Sequence, residues 1–418
     1  MEDLFRTAIT VFLFLLILGS LVIVHELGHF ITARLAGVRV LEFGIGFPPR
    51  ARVLRVGPAS PEDVAWAARS RQAAIDAARD DPELLEEVVD TEPDVPAGTV
   101  YSLNWLPIGG FVKLEGEDGD AVADPRSFAA APLPIRLGIL VAGVVMNLLT
   151  AFLIFTVIAW VATPFHGLRF SEVQPDSPAA AAGLRPGEAV LAINGVQHEF
   201  FGRGNVLDDL RANTGEVVTL TIQRANGTLE TVETTLRTQS EIDASPKDPE
   251  TGQPTKGPLG ISGGREGFEP VFYGRYARDL PAAIGIAGEQ TVHWFGLILA
   301  GLGDLVGGFV SNPTAAPPVA GPIGIATQIG DIFFGSGPIL TLYVAGVLSA
   351  NLALVNILPF PPLDGGRMLM IVLKSVLGTR ISLRAERLTY VVGFAVLMAF
   401  LIWVSGFDIA RILSGSPT

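Results

Sequence analysis

The sequence predicts a polytopic α-helical membrane protein with four transmembrane helices and a folded segment inserted between the second and the third. Three observations carry that expectation. Of 418 residues, 49% are hydrophobic and only 17% are charged, more apolar than an ordinary soluble enzyme. Four apolar runs, at 5–28, 135–162, 338–362 and 388–404, approach or exceed the roughly 20 residues that a helix rising 1.5 Å per residue needs to cross a bilayer. Between them lie stretches with turn residues and strand-like alternation instead of helical periodicity.

Residues 1–57 hold the first run and a following strand region. The run reads as an uncleaved span: Arg6 stands behind Glu2 and Asp3, leaving almost no basic leader, and no Ala-x-Ala-like site follows. Residues 58–98 read as a small cytoplasmic helical insertion. Ser60-Pro61-Glu62-Asp63 resembles a capping box with proline at the first helical position, Asp81-Pro82-Glu83 starts a second helix, and a solvated spacer is the simplest role. Segment 99–134 contains a hairpin over 100–114, where Gly109-Gly110 suits a tight turn. The second span occupies 135–164.

Segment 165–265 is α+β in character. Asn226-Gly227 separates two alternating runs and signals a hairpin, and 240–258, rich in Ser, Asp, Pro, Lys and Gly, is a loop. Segment 266–337 includes a weaker apolar stretch, 282–309, which carries Glu289, Gln290, His293 and Asp304 and several glycines. It reads as an amphipathic helix on the outer surface. The third span falls in 338–380 and the fourth in 381–418.

Basic residues orient the chain. Arg34, Arg39, Arg50, Arg52 and Arg55 follow the first span, Lys113, Arg126 and Arg136 precede the second, and Arg367, Lys374, Arg380, Arg384 and Arg387 follow the third run. The positive-inside rule places those connections in the cytoplasm, with both termini and 165–317 outside. The net charge of −13, without a Lys/Arg-rich run, argues against a nucleic-acid partner. The absence of cysteine excludes disulfides, thiolate zinc sites and a thiol nucleophile.

Within the first span, VIVHELGHFITARLAG at 22–37 places two histidines and a glutamate at bilayer depth. Each ionisable residue there costs about 2.5–3.5 kcal/mol on insertion scales. His25 and His29, four apart, share a helix face and can present two imidazoles to one zinc, with Glu26 beside them as a base toward water. The bland alternative is a span that ends at Val24, followed by an interfacial polar turn. A catalytic zinc usually takes three protein ligands and keeps one position open. His166, His198 and His293 are isolated and expected outside the membrane, so the third ligand should be a carboxylate at membrane depth. Asp364 is the one acid inside a strong run; its bland alternative is a turn acid, since Asp-Gly-Gly often makes a turn.

Depth tests the pairing. His25 comes about 20 residues, hence about 30 Å, along the first span, near the cytoplasmic side. If 282–309 does not cross, the third span also runs inward, and Asp364, about 26 residues after Pro338, reaches the same level. If it does cross, Asp364 ends in the opposite leaflet. Charge bias and the metal requirement agree on four spans.

With these residues on the page, the chain resembles the site-2 protease family of intramembrane zinc metalloproteases, specifically its PDZ-containing bacterial branch, the regulator-of-sigma-E protease type. HELGH at 25–29 and NILPFPPLDGG at 356–366 match that family's two signatures; EFGIGFPP at 42–49, PIGGFVKL at 107–114 and AGPIGIA at 320–326 look like family segments. The resemblance implies His25, His29 and Asp364 as zinc ligands and Glu26 as general base. It implies that Asn356 holds the substrate backbone or the oxyanion, and that Gly109, Gly110 and Phe111 belong to a membrane-associated β-hairpin that binds substrate. Segment 165–265 looks like an α+β PDZ domain closed by GPLGISGG at 257–264. One PDZ-like unit is present where the best-known relatives carry two. GVVMN at 143–147 departs from a common Gly-Pro-x-x-Asn pattern, the position of Asn147 being kept.

The activity implied is hydrolysis of peptide bonds in transmembrane segments of single-pass membrane proteins, such as anti-sigma factors or signal-peptide remnants. Its setting would be the lipid of a bacterial inner membrane, with the active site near the cytoplasmic side. The sequence leaves the oligomeric state open. Two rivals are a membrane-tethered PDZ adaptor with a structural metal site, which needs a fourth protein ligand, and a metal transporter, which needs a lined path of acids or histidines.

Overall fold

The computed structural model describes residues 1–58, 98–117, 124–247, 254–264, 267–312, 319–377 and 383–414, with Pro317 and scattered positions between 61 and 75. The expected helical insertion at 58–98 lies almost wholly outside the described residues. The chain forms two compact units, one of Met1–Ile154 with Gln290–Thr418, the other Phe155–Glu289.

The first unit opens with α1 (Glu2–Leu35), a 34-residue helix that stops where Gly37 takes φ +75, a conformation that costs other residues a steric penalty. Two strands follow, β1 (Val40–Val56) and β2 (Val100–Leu114). Their pairing is double. Phe43 stands opposite both Val112 and Tyr101, and Gly44 opposite both Phe111 and Ser102, while Arg52 and Val53 pair with Leu103 and Ser102. The first half of β1 therefore lies between the two halves of β2. A plain hairpin over 100–114 was the expectation; the strand contributed from the first segment instead fills its middle. Gly44 is required there, since a Cβ would sit 2.3 Å from the Phe111 ring. Then comes α2 (Leu133–Val161). Ala33 of α1, Val38, Val40, Leu114, Phe128 and Ile139 of α2 form one buried cluster that fastens the sheet to both helices, by removal of apolar surface from water or lipid headgroups.

The second unit is α+β. Its strands are β3 (Thr163–Arg169), β4 (Glu172–Val173), β5 (Ala189–Ile193), β6 (Val196–Glu199), β7 (Val217–Gln223), β8 (Leu229–Thr235), β9 (Ile261–Ser262) and β10 (Glu269–Tyr276). Six form one sheet in the order β10-β3-β6-β5-β7-β8, and β4 pairs with β9. Three short helices carry explicit caps: Ser177 on α3 (Pro178–Ala181), Asn205 on α4 (Val206–Ala212), and a Thr238/Glu241 capping box on α5 (Gln239–Asp243), each satisfying amides the first turn leaves free. The Asn226-Gly227 hairpin forms between β7 and β8, with Gly227 at φ +83. GPLGISGG supplies β9. The unit extends past 265, because β10 adds to the free edge of β3, Val271 opposite Gly167.

The chain continues with α6 (Leu280–Ser311), α7 (Pro322–Ser336), α8 (Pro338–Ile357), α9 (Asp364–Leu377) and α10 (Leu383–Ser414). Among the described residues five helices, α1, α2, α6, α8 and α10, are long and apolar enough to cross a membrane, α6 being the least apolar; they fit a polytopic membrane protein. The expected third run is not one helix. It is helical only to Ile357, and a new helix starts at Asp364, since Pro359, Pro361 and Pro362 withdraw amide donors from the intervening turn.

Candidate metal centre

Helix spacing brings His25 and His29 to one face of α1, with ring centroids 4.7 Å apart and planes at 85°. Both are buried. Asp364 joins them from the first turn of α9: its Oδ2 lies 2.9 Å from His25 Nε2 and 3.3 Å from His29 Nε2, and the two Nε2 atoms are 3.1 Å apart. Among the described residues these three form the one group able to hold a metal ion.

The donor set fits zinc on two grounds. Tetrahedral arms of about 2.0–2.1 Å span edges of about 3.3–3.4 Å, close to this triangle. The ring orientation also suits it: His29 Nδ1 lies 2.8 Å from the carbonyl oxygen of Ile139, so Nδ1 donates, and in the neutral ring the Nε2 lone pair is then free to face a cation shared with Asp364.

Two glycines explain how Asp364 arrives. A Cβ on Gly365 would meet the carbonyl oxygens of Ile357 and Leu358 at 2.2 Å, and one on Gly366 would meet Phe360 at 2.6 Å. Only bare backbone lets residues 358–363 fold over the start of α9. In the Asp-Gly-Gly motif, then, the turn-forming glycines and the carboxylate serve one geometry. Arg367, one turn on, pairs with Glu117, whose other oxygen accepts the Leu114 amide at 3.2 Å. That carboxylate ties α9 to the end of β2.

Glu26 accepts the Val112 amide at 3.1 Å, so the edge of β2 lies against the same stretch of α1. Gly109 (φ +75) and Gly110 are buried there, next to Val22 and Ile23, and the Phe111 ring covers Gly44. Asn356 is half-buried near the end of α8 and hydrogen-bonds none of the three donors. His166 and His198 belong to the second unit, where His198 Nε2 is 2.9 Å from Asp209; His293 lies on α6.

The site has further participants, one invisible in the sequence and one matched there only as a motif position without a role. The Ile139 carbonyl is backbone and leaves no side-chain signal. Asn147, fully buried on α2, has Nδ2 3.3 Å from His25 Nδ1. The elimination that isolated Asp364 also overlooked an acid: α10 runs beyond 404, and Asp408 within it is fully buried. It is no fourth ligand, because it accepts the Gly321 and Gly324 amides at 3.2 and 2.8 Å and so caps α7. AGPIGIA owes its glycines to that contact, a Cβ on Gly321 falling 2.7 Å from the Asp408 carboxylate.

Comparison with known proteins adds an independent line. The model of peptidase family M50 matches residues 13–55 and 94–400. A zinc metalloprotease RasP of Geobacillus kaustophilus is 28% identical over 95% of this chain and 97% of its own. A probable chloroplastic membrane metalloprotease, ARASP2, of Arabidopsis thaliana is 28% identical over 87% of this chain and 71% of its own. A putative zinc metalloprotease, R01501, of Rhizobium meliloti is 28% identical over 97% of both.

Proposed function

The chain belongs to peptidase family M50, the site-2 protease family of zinc metalloendopeptidases, and on that premise we propose that it cleaves transmembrane segments of single-pass membrane proteins through the site formed by α1 and α9. The observation that carries this reading is the triangle of His25, His29 and Asp364 donor atoms, 2.9–3.3 Å on its edges.

In this reading those three residues hold zinc, which supplies the Lewis acidity that activates water and polarises the scissile carbonyl. Glu26 takes the proton from the attacking water and passes it to the departing amine. Asn356 steadies the substrate backbone or the oxyanion. A helical substrate must unwind before its carbonyl is open to attack, and the β2 edge around Gly109, Gly110 and Phe111 accepts the unwound stretch as an added strand. The proximity of that edge to Glu26 supports the assignment.

Substrates of this class include anti-sigma factors and signal-peptide remnants. The membrane is the inner membrane of a bacterium, crossed by α1, α2, α8 and α10, with α6 along the outer surface. The termini and the second unit, a PDZ domain, face outward, and the zinc lies toward the cytoplasm. Four crossings put His25 and Asp364 at one depth, which five would not.

The test is Glu26→Gln in the full-length protein. Zinc content should stay at one ion per chain while cleavage of a single-pass reporter falls by at least about a thousandfold; His25→Ala, His29→Ala and Asp364→Ala should lose the ion itself. Undiminished cleavage by Glu26→Gln removes the mechanism.

A further inference from the structure

We propose that Asn147 is the positioning residue that fixes the tautomer of His25: its side-chain oxygen accepts the proton on His25 Nδ1, which leaves the Nε2 lone pair for the metal. The inference rests on the metal-ligand reading above and assigns a role that reading does not contain.

Ile139, Gly143 and Asn147 are four apart on α2 and form one stripe. At the first step the Ile139 carbonyl takes the Nδ1 proton of His29 at 2.8 Å. At the second, Gly143 lies directly under both rings, a Cβ there falling 2.5 Å from His29 Nε2 and 2.7 Å from His25 Cε1. At the third, the Asn147 amide meets His25 Nδ1 at 3.3 Å. The stripe is held in place from α8, where Ser349 Oγ donates to the Asn147 carbonyl at 2.7 Å.

The need for a free Nε2 lone pair on a ligating His25 decides which amide atom faces the ring. As oriented, Nδ2 points at His25 and Asn147 Oδ1 is buried without a partner, which is unfavourable. That orientation also makes Nδ1 an acceptor, which puts the ring proton on Nε2, facing Asp364 and the second imidazole. A half-turn of the amide, whose two ends have the same shape, gives Oδ1 a donor in His25 and reverses the tautomer, with Nδ2 taking the place that Oδ1 held. Oδ1 then accepts from Nδ1–H, and Nε2 is free to ligate. Orienting partners of this kind raise ligand basicity and lock ring geometry. One helix thereby fixes both rings by different means, a carbonyl for His29 and an amide oxygen for His25.

The experiment measures zinc affinity of the full-length protein in nanodiscs, by competition with a chromophoric chelator. Asn147→Leu keeps the branched shape and removes the acceptor; affinity should fall by about 10- to 100-fold. Asn147→Asp can accept but not donate, and should stay within about threefold of wild type. Unchanged affinity in Asn147→Leu overturns the proposal, as does a loss in Asn147→Asp equal to that in Asn147→Leu, which would mark Asn147 as a donor. Should Asn147→Leu fail to fold, nitrogen NMR of zinc-loaded wild type labelled at histidine decides: the proton of His25 on Nδ1 upholds the proposal, and on Nε2 overturns it. His25→Ala and Asp364→Ala separate the two levels. If they bind zinc as wild type does, the ligand assignment itself fails; if they lose it while Asn147→Leu does not, only the role of Asn147 fails.

Discussion

A methyl group on Gly143 would lie 2.5 Å from Nε2 of His29, closer than any unstrained contact. Gly143→Ala should therefore displace the imidazole from the metal position, with zinc content and proteolysis each reduced at least about tenfold. Gly138, on the same helix, has nothing within 4 Å of its would-be Cβ, and Gly138→Ala should leave both unchanged. Metal analysis of the two purified variants makes the comparison.

Gly365→Ala tests how the acid is delivered. Its Cβ would sit 2.2 Å from two backbone carbonyl oxygens, which cannot yield as a side-chain tip can. Overpacking of this sort costs about 1–3 kcal/mol, so thermal unfolding should shift down by several degrees. Zinc should be lost at temperatures where the chain is still folded.

The Arg367–Glu117 pair links the acid-bearing helix to the end of β2. Because the Arg367 side chain is about two-fifths exposed, its direct worth in stability is at most about 1 kcal/mol. Arg367→Gln and Glu117→Gln should each reduce proteolysis several-fold, and the double variant should do no worse than the more damaging single one, a coupling that a double-mutant cycle on activity reads out.

Acid should loosen the second unit. Burial foremost, and the neighbouring His198 next, hold the His166 pKa below its ordinary 6.5. Above that pH the ring is neutral in folded and unfolded chains alike and contributes nothing. As pH falls through 6.5 the unfolded chain takes up a proton first, so stability declines, and the decline ends once the folded ring is protonated too. Protease susceptibility of 155–289 in the intact protein should rise between pH of about 7.5 and about 5.5, and His166→Gln should flatten that rise.

Legibility followed the range of each interaction. His25, His29 and their shared face came from a four-residue spacing, and the β7–β8 hairpin from Asn226-Gly227; both are local. Asp364 came from scarcity of acids in apolar runs, a criterion that Asp408 would also have met had the reach of α10 been foreseen. The break after Ile357 was written in three prolines yet hidden by the hydrophobicity of the residues among them. The double register of β1 and β2 could not be read, since pairing of Phe43 with both Val112 and Tyr101 depends on how one strand folds around another. The Ile139 and Asn147 contacts reach the histidines across more than a hundred residues, 110 and 122 respectively, without a spacing rule to reveal them.

The bond between His25 and Asp364 spans 339 positions of chain. Synthesis proceeds from the amino end, so a ribosome has made α1, the sheet, α2 and the whole second unit before it adds the residue that completes the triad. A nascent or truncated chain that stops short of 364 carries two rings and no acid to close the set. Assembly order thus acts as a safeguard: a hydrolase resident among the cell's own helices gains its teeth only after its first two apolar helices and the whole second unit have been built.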